Sequence, residues 1–256
     1  MVRGPGTIPR LQHYLLTFMR FAIFSDIHSN LEALETAVSH AQNQKVDEFI
    51  VLGDTVGYGA NPNECFDWVI QHAAVNLLGN HEKAVIDPKT RDWFNPMARE
   101  AIVWTSKVMK KNLKALIAPL PYLRVDKRVS YAHGSLHEPE AFHYLVSFED
   151  TEDSFKKLES PVCFVGHTHI PSCFCEKKRS AEYLEPGVVE LKKGERYILN
   201  PGSVGQPRDH DPRLSFGLFD DERHSFEIIR LEYENQKAAE KIRKAGLPHY
   251  LADRLL

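Results

Sequence analysis

The sequence lacks several features that would place it at once in a broad class of proteins. Its 256 residues contain no apolar run approaching the roughly 20 residues that a membrane-spanning helix needs. The formal net charge is -3, so the basic excess expected of a protein that binds nucleic acid through many phosphates is missing. We therefore expect a globular protein without a membrane partner or a strong nucleic-acid signal.

Cysteine is also scarce. The four cysteines are Cys65, Cys163, Cys173 and Cys175, and their spacing forms neither a regular disulfide framework nor a zinc-binding pattern. We interpret them as buried or edge-strand thiols. Metal ligation by Cys173 and Cys175 is the less favoured alternative.

The N-terminal segment does not resemble a signal peptide, because it has neither a sustained apolar core nor a small-residue cleavage site. A second methionine, Met19, stands directly before the first strand-like run. We predict that residues 1–18 are an appended or misassigned start that is poorly ordered. Residues 19–256 are predicted to form one domain of a cytoplasmic protein, whose oligomeric state the sequence does not indicate.

Short apolar runs alternate with amphipathic stretches from Arg20 onward. The order RFAIFS, LEALETAVSHAQ, EFIVLG, PNECFDWVIQHA and AVNLLG predicts a βαβαβ unit with a parallel sheet that is buried on both faces. Residues 96–118 predict one long helix or two short ones, since proline stands at the start and just past the end. Beyond Pro119, short runs predict a more antiparallel sheet, and the basic tail from Asn235 predicts a packed helix.

Polar residues stand where these apolar runs end. They are Asp26, His28, Asp54, Asn80, His81, His133, His167 and His169. Ligands bind at the carboxyl ends of strands in open α/β sheets, so we expect these side chains to meet in one crevice. A lone histidine at a strand end is usually an ordinary hydrogen-bonded residue, but a set of this size indicates a metal site. Carboxylates, imidazoles and an amide without thiolate favour Mn, Fe or Zn over Ca or Mg.

Five short motifs carry these residues, and they read DIH, GD, GNHE, HG and GHTH in chain order. In this order they resemble the calcineurin-like metallophosphoesterases, over about residues 20 to 220. The resemblance implies an α/β fold with four layers, an α-β-β-α sandwich of two mixed sheets flanked by helices. It also implies an enzyme that uses two divalent metal ions to hydrolyse a phosphate ester.

The resemblance further implies a role for each polar residue. The first metal ion would be held by Asp26, His28, Asp54 and His169, and the second by Asp54, Asn80, His133 and His167. A hydroxide bridging the two ions, with Mn favoured over Fe or Zn, would attack phosphorus in line with the leaving alcohol. His81 would contact the phosphate or protonate the leaving oxygen, with bracing of Asn80 as its alternative role. Glu82 is expected only to cap the helix that follows.

The segment GDTVGYG departs from the protein Ser/Thr phosphatases of this family. Gly57 and Tyr58 replace the Asp that supports the catalytic His and the Arg that binds phosphate there, which disfavours a protein phosphatase of that type. DIHSNLEALE, GDTVGYGANPNEC and NPGSVGQPRDHDPR resemble the small prokaryotic branch labelled phosphodiesterase or diadenosine tetraphosphatase-like.

We therefore predict a phosphodiesterase that acts on a small, nucleotide-like phosphorylated substrate. Arg208 and Tyr58 are candidate substrate contacts, although for Tyr58 a place in a packed loop is slightly favoured. The alternatives are a phosphomonoesterase, a nuclease that would need a local basic track, and a non-catalytic metal-binding scaffold.

Overall fold

The computed structural model describes residues 18–256, so the prediction for residues 1–17 lies outside the described residues. Within this range the strands are β1 Arg20–Phe24, β2 Glu48–Val51, β3 Ala73–Asn76, β4 Leu123–Val125, β5 Val129–Ala132, β6 Val162–Phe164, β7 Pro171–Cys175, β8 Ser180–Tyr183, β9 Gly187–Glu190, β10 Tyr197–Pro201, β11 Leu214–Asp220 and β12 Ser225–Leu231. The helices are α1 Leu31–Asn43, α2 Pro62–His72, α3 Asn80–Ile86, α4 Pro96–Val108, α5 Lys111–Ala115, α6 Phe148–Lys157, α7 Asn235–Lys244 and α8 His249–Asp253, with 3-10 turns at Pro88–Trp93 and Pro139–Ala141.

The first sheet has the strand order β3-β2-β1-β11-β12-β9. Strands β1, β2 and β3 are parallel to one another, as the alternating apolar and amphipathic runs predict. Strand β11 pairs with β1 in the antiparallel sense, and β12 and β9 extend the sheet in the same sense. Strands from the second half of the chain therefore complete the sheet begun by the first half.

The second sheet has the order β4-β5-β6-β10-β7-β8. It contains parallel pairs, β5 with β6 and β6 with β10, as well as antiparallel ones. The expectation that the second half forms its own, more antiparallel sheet is therefore only partly right, since its strands are divided between two mixed sheets. Two mixed sheets of six strands, flanked by helices, confirm the predicted α/β sandwich.

The main core lies between the two sheets. Phe164 of the second sheet contacts Phe219 and Phe226 of the first, with ring centroids 5.3 Å apart in both pairs. Alternate residues of β1 serve different layers, because Ile23 faces this core while Phe24 packs in a second cluster with helices α1 and α2. Burial on both faces explains why the strand reads as a continuous apolar run.

The helices agree with the sequence prediction for residues 96–118 but differ from it in the C-terminal tail. Residues 96–118 form the two helices α4 and α5, while the tail forms α7 and α8 rather than one helix. The break follows from Gly246, which adopts a left-handed φ of 72° after α7, and from Pro248 before α8. Ala239 and Leu251 of these helices pack against Ala101 of α4. Among residues 18–256, no helix combines the length and apolarity needed to cross a membrane.

Candidate metal centre

The polar residues predicted from the strand ends meet at one place in the structure. Asp26 follows β1 and Asp54 follows β2, while His133 follows β5 and His167 with His169 follows β6. These five side chains and His28 are buried, and Asn80 at the start of α3 is partly exposed. The carboxyl ends of parallel strands from both sheets thus converge on one site.

The ligand atoms fall into overlapping groups whose members lie within 4.8 Å of one another. The groups are Asp26, His28 and His169; Asp54, His133 and His167; and His28, Asp54 and His81. Asp54 Oδ2 is 3.8 Å from His28 Nε2 and 3.3 Å from His133 Nε2. Asp54 therefore lies between the first group and the second. Asn80 joins the second group, because its Oδ1 is 3.1 Å from His133 Nε2.

Three histidines are oriented by backbone carbonyl groups. Their Nδ1 atoms lie at hydrogen-bond distance from the carbonyl oxygens of Val56 (3.1 Å from His28), Leu52 (3.0 Å from His133) and Gln206 (2.6 Å from His169). A carbonyl only accepts hydrogen bonds, so each Nδ1–H donates, and when the ring is neutral each Nε2 presents a lone pair to the centre. This is the tautomer that a metal-binding histidine needs.

The centre fits divalent metal ions on its own geometry. His28 Nε2 and His169 Nε2 lie 3.1 Å apart, and two facing lone pairs at this distance repel each other unless a metal ion or a proton lies between them. Asp26 Oδ1 is buried 3.3 Å from His169 Nε2 and has no hydrogen-bond partner among residues 18–256. An orphaned buried carboxylate oxygen is costly unless a cation compensates it. The donor set of carboxylate, imidazole and amide suits Mn, Fe or Zn.

The carboxylates of the centre are held in their charged form. Burial alone would raise the pKa of Asp54, but His133, His81 and His28 outweigh it and hold this pKa well below its usual range. Burial would likewise raise the pKa of Asp26, but the neighbouring His169 outweighs burial and lowers this pKa. His133 shows the converse, because Asp54 outweighs burial and raises the pKa of His133 to about 9. Without metal ions, protonated imidazole therefore supplies the positive charge that the carboxylates require.

His81 is oriented differently from the three carbonyl-bound histidines. Its Nδ1 is buried without a hydrogen-bond partner in the part of the chain that the structure describes. Its Nε2 lies 4.0 Å from Asp54 Oδ2, and its backbone N–H donates to Asp54 Oδ1 at 2.8 Å. Burial lowers the pKa of His81 to about 4. His81 is thus neutral at neutral pH, with its ring Nε2 directed towards the centre.

Packing holds the ring of His81 in the absence of a carboxylate partner. Its centroid lies 4.5 Å from that of Tyr58 and 5.1 Å from that of Phe94. Gly57 leaves no room for a supporting side chain, because a Cβ there would lie 2.1 Å from His81 Nδ1, and its φ is +90°. The departure from the protein phosphatase pattern at Gly57 is therefore required by the position of His81.

Glu82 does more than cap α3. Its carboxylate accepts hydrogen bonds from the backbone N–H groups of Gly79 (3.0 Å), Asp54 (2.8 Å) and Val56 (3.0 Å). The first bond is the predicted helix cap, while the other two tie α3 to the loop after β2. This loop carries Asp54 and also the carbonyl that orients His28. Glu82 therefore sets the position of two groups in the centre, a role that no local sequence pattern signals.

The backbone at the centre is strained and crowded. Five of its residues adopt left-handed φ values: Asp26 (53°), His28 (48°), Asp54 (51°), His167 (68°) and His169 (63°). Non-glycine residues rarely adopt this conformation, and it concentrates at functional sites. Gly79 allows a close approach, since a Cβ there would lie 2.1 Å from Asp54 Oδ1.

The centre opens into a cleft of ≈ 360 Å³ that both predicted substrate contacts line. Arg208 Nη2 donates to the Tyr58 hydroxyl at 3.3 Å, and Arg208 Nε is buried without a partner among the described residues. Tyr58 is only 8% exposed, because its ring packs against His28 at a centroid distance of 4.5 Å. Tyr58 is therefore both a packed residue and part of the wall.

Sequence reasoning missed the outer wall of this cleft. It is formed by Trp93, Met97, Tyr144, Tyr250 and Arg254, which we call the rim. Tyr144 stacks on His167 with centroids 3.9 Å apart and an interplanar angle of 25°. These residues belong to helix ends and loops that are far apart in the chain, so no motif connects them.

Comparison with known proteins decides the family. The family model described as the calcineurin-like phosphoesterase superfamily domain matches residues 19–224. The chain belongs to this superfamily. Like other calcineurin-like phosphoesterases, it is a metal-dependent phosphoric ester hydrolase, and its buried Asp and His groups are the kind of site that divalent metal ions occupy.

Three calcineurin-like relatives frame the comparison. The uncharacterized protein MJ0912 of Methanocaldococcus jannaschii is 39% identical over 238 residues, which cover 91% of this chain and 96% of that protein. The crystal structure of a metallophosphoesterase from Sphaerobacter thermophilus has a TM-score of 0.85 and 36% identity, covering 93% of this chain and 98% of that one. Phosphodiesterase YfcE of Escherichia coli is 23% identical over 210 residues, covering 80% of this chain and 89% of that protein.

Proposed function

We propose that the protein is a dinuclear-metal phosphodiesterase that hydrolyses a small, nucleotide-like substrate. The observation that carries this proposal is the position of Asp54 Oδ2 between two groups of ligand atoms, 3.8 Å from His28 Nε2 and 3.3 Å from His133 Nε2. A carboxylate in that position suits a bridge between two ions, as two-metal hydrolytic sites require.

Seven residues are assigned as ligands in this proposal. One ion would be held by Asp26, His28, Asp54 and His169, and the other by Asp54, Asn80, His133 and His167. Two divalent ions, with Mn favoured and Fe or Zn as alternatives, would supply the Lewis acidity that lowers the pKa of a bound water and would offset phosphate charge. The hydrogen bonds from Nδ1 to backbone carbonyls would keep three of the imidazoles aligned for this task.

His81 acts on the oxygen of the leaving group. Because its Nδ1 has no partner among residues 18–256, nothing fixes a proton there, and the Nε2–H tautomer directs its proton towards the centre. From this position the neutral ring donates a hydrogen bond to a phosphate oxygen. To act as the general acid, a contribution of about 10² to 10⁴ in rate, the ring must first take up a second proton, and the negative charge of a bound substrate favours that imidazolium form. Tyr58 and Phe94 keep the ring in place.

Arg208 binds the substrate phosphate. Its guanidinium donates one hydrogen bond to Tyr58 and retains an Nε–H without a partner in the described chain. A buried donor of this kind is available to a phosphate oxygen. The positive charge of Arg208 adds to burial in lowering the pKa of His81, which supports a position close to the centre.

The preference for a small diester rests on the surroundings of the centre. Tyr58 stands where protein phosphatases of this family place the phosphate-binding Arg, so that guanidinium clamp is absent. The cleft has about the volume of a small-molecule site, for which ≈ 300–1,000 Å³ is usual. The name phosphodiesterase given to YfcE, a relative over most of both chains, supports the same reaction class.

The test compares bis(para-nitrophenyl) phosphate with para-nitrophenyl phosphate, using protein stripped of metal and refilled with Mn. Asp54→Asn is measured beside Asp67→Asn, a matched change on the exposed face of α2. We expect turnover of the diester, lost in the first variant and kept in the second, with two bound ions per wild-type chain. Preference for the monoester would replace the proposal with a phosphomonoesterase, and no turnover with Mn, Fe or Zn would favour a non-catalytic scaffold.

A further inference from the structure

The rim of the cleft presents large apolar and aromatic side chains to solvent. Trp93 is 71% exposed, Tyr144 53% and Tyr250 49%. Exposed large apolar side chains that gather around a cavity mark a binding surface rather than ordinary surface scatter. The role of His81 and the metal ligands does not explain why aromatic residues from three separate segments surround the opening.

The backbone that carries Trp93 is anchored to the wall of the centre. It ends the 3-10 turn Pro88–Trp93, which is fastened to α3 by Arg91, whose guanidinium donates to the carbonyls of Ala84 (2.8 Å) and Val85 (3.1 Å). The next residue, Phe94, packs edge-on against His81 with centroids 5.1 Å apart. A continuous wall therefore runs from His81 through Phe94 to Trp93, and a ligand at the centre that extends outward meets the indole.

The charges of the cleft select for anions. Among the lining residues, all of which lie in the described part of the chain, Asp54 is the only acidic one, while Arg208 and Arg254 are basic. Neither arginine forms an ion pair with a residue in the range 18–256. Arg254 lies 5.5 Å from the centroid of the Tyr250 ring and donates to its hydroxyl. The rim thus combines an unpaired cation with aromatic faces.

We propose that Trp93, Tyr250 and Arg254 form a subsite for the nucleobase and outer phosphate of a nucleotide, so that the substrates are nucleotide phosphodiesters. A ligand that matches this wall needs a flat aromatic group for the indole and phenol rings, and a negative charge for the guanidinium. Nucleotides combine the two, and stacking on aromatic side chains is how proteins bind bases without reading their sequence. This inference rests on the proposed function, because it extends the same cleft outward.

The test uses two ligands that differ only in the base, adenosine 5′-monophosphate and ribose 5-phosphate, titrated calorimetrically into the Mn-loaded protein. We expect the nucleotide to bind at least about fivefold more tightly, since stacking of one base corresponds to about 5- to 150-fold. Trp93→Ala should bring this ratio close to one, whereas Trp93→Phe should keep part of it. Tyr183→Ala, at a tyrosine that is 68% exposed on β8 and outside the cleft, is the matched control and should keep the full ratio.

Free phosphate is assayed in the same samples, and if a ligand is hydrolysed, the ratio of kcat/KM values replaces the ratio of affinities. Equal values for the two ligands, no detectable binding of the nucleotide, or an unchanged ratio in Trp93→Ala would overturn the subsite. Hydrolysis of bis(para-nitrophenyl) phosphate by the same preparations separates the two proposals. Turnover without a base preference removes the subsite alone, and a Trp93-dependent preference without turnover removes the phosphodiesterase alone.

Discussion

The floor of the cleft, formed by the seven proposed metal ligands and His81, is built quite differently from its rim. Floor residues follow strand ends, are mostly buried, and are held by backbone groups such as the carbonyl of Leu52 that orients His133. Rim residues such as Trp93 and Tyr250 belong to short helical segments and are exposed. The difference teaches that the residues of the reaction and the residues that select the substrate belong to separate parts of the cleft, the floor and the rim, which can be altered independently.

Removal of the metal ions is the harshest test of the floor. Chelation should reduce hydrolysis to background, and added Mn should restore it, because the buried carboxylates and imidazoles have no other means of activating water. Mn should also raise the thermal unfolding midpoint, because metal binding adds about 2.7 kcal/mol to the free energy of unfolding at a free Mn concentration 100-fold above Kd. The gain should shrink in Asp54→Asn and persist in Trp93→Ala. Equal gains in both variants would contradict the separation of floor and rim.

His81→Asn should lower kcat by about 10² to 10⁴. We expect the metal content to stay at the wild-type value, because His81 Nε2 is directed to the substrate side and its ring is held by packing. His72→Asn, at an exposed position of α2, serves as the control and should keep wild-type kinetics. Loss of one ion per chain in His81→Asn, measured by elemental analysis, would instead identify His81 as a ligand.

Glu82→Gln tests the support beneath the floor. An amide nitrogen in place of one carboxylate oxygen would face a backbone N–H, so at least one of the three hydrogen bonds is lost. We expect weaker metal binding by about 10- to 100-fold and destabilisation by about 1–3 kcal/mol. Metal titration and urea unfolding measure the two effects. Glu64→Gln on α2 should change neither, and an unaltered metal affinity in Glu82→Gln would rule out the positioning role.

The metal-free protein should lose stability on acidification below about pH 6.5. His81 and His167 have pKa values lowered to about 4 and about 3, chiefly by burial, and the pKa values of His28 and His169 are lowered too. These four groups take up protons in the unfolded chain but not in the folded one. Glu82 and His133, with raised pKa values of about 7 and about 9, bind protons in the folded state, but they are fewer.

The unfolded state therefore binds more protons, and stability rises with pH by about 1.4 kcal/mol per pH unit for each net proton. Urea unfolding with chelator at pH 5, 6 and 7 measures the slope. Greater stability at pH 5 than at pH 7 would show that the histidines are not buried as neutral groups.

The smallest effect is expected at the rim. Arg254→Gln removes an exposed cation, so KM for a nucleotide diester should rise by up to about fivefold. The effect should fade in 1 M salt, where the Debye length is about 3 Å. Arg223→Gln in the turn after β11 is the control, since Arg223 lies outside the cleft and pairs with Asp220. A salt-independent loss in Arg254→Gln would indicate a structural role instead.

The sequence was sufficient to predict the floor because its two signals, an apolar strand and the polar residue that follows it, are adjacent in the chain. Apolar runs such as FAIFS and IVLG end directly at Asp26 and Asp54, so strand and ligand are read together. The structure brings the side chains of all the proposed ligands and His81 together at one centre, and Arg208 lines the cleft into which this centre opens. Their roles in metal binding and catalysis stay predictions.

The sequence was insufficient where contacts are distant or weakly patterned. Strands β8 and β9 are short and mostly exposed, so SAEY and GVVE carry no apolar alternation. Strand β11 pairs with β1, which lies far from it in the chain, and nothing in the sequence of either strand indicates this pairing. Tyr250 reaches the cleft only because α7 and α8 pack on Ala98 and Ala101 of α4.

The left-handed backbone at Asp26, His28, Asp54, His167 and His169 has a consequence for anyone who engineers this protein. Each such conformation disfavours an L-residue with a side chain by about 1–2 kcal/mol, and glycine escapes this penalty. Replacing one of these side chains by glycine relieves strain and deletes a reactive group in the same step. Where no metal ion is bound to add stability, a laboratory selection for heat resistance alone would thus favour inert enzymes, and hydrolysis has to be part of every round.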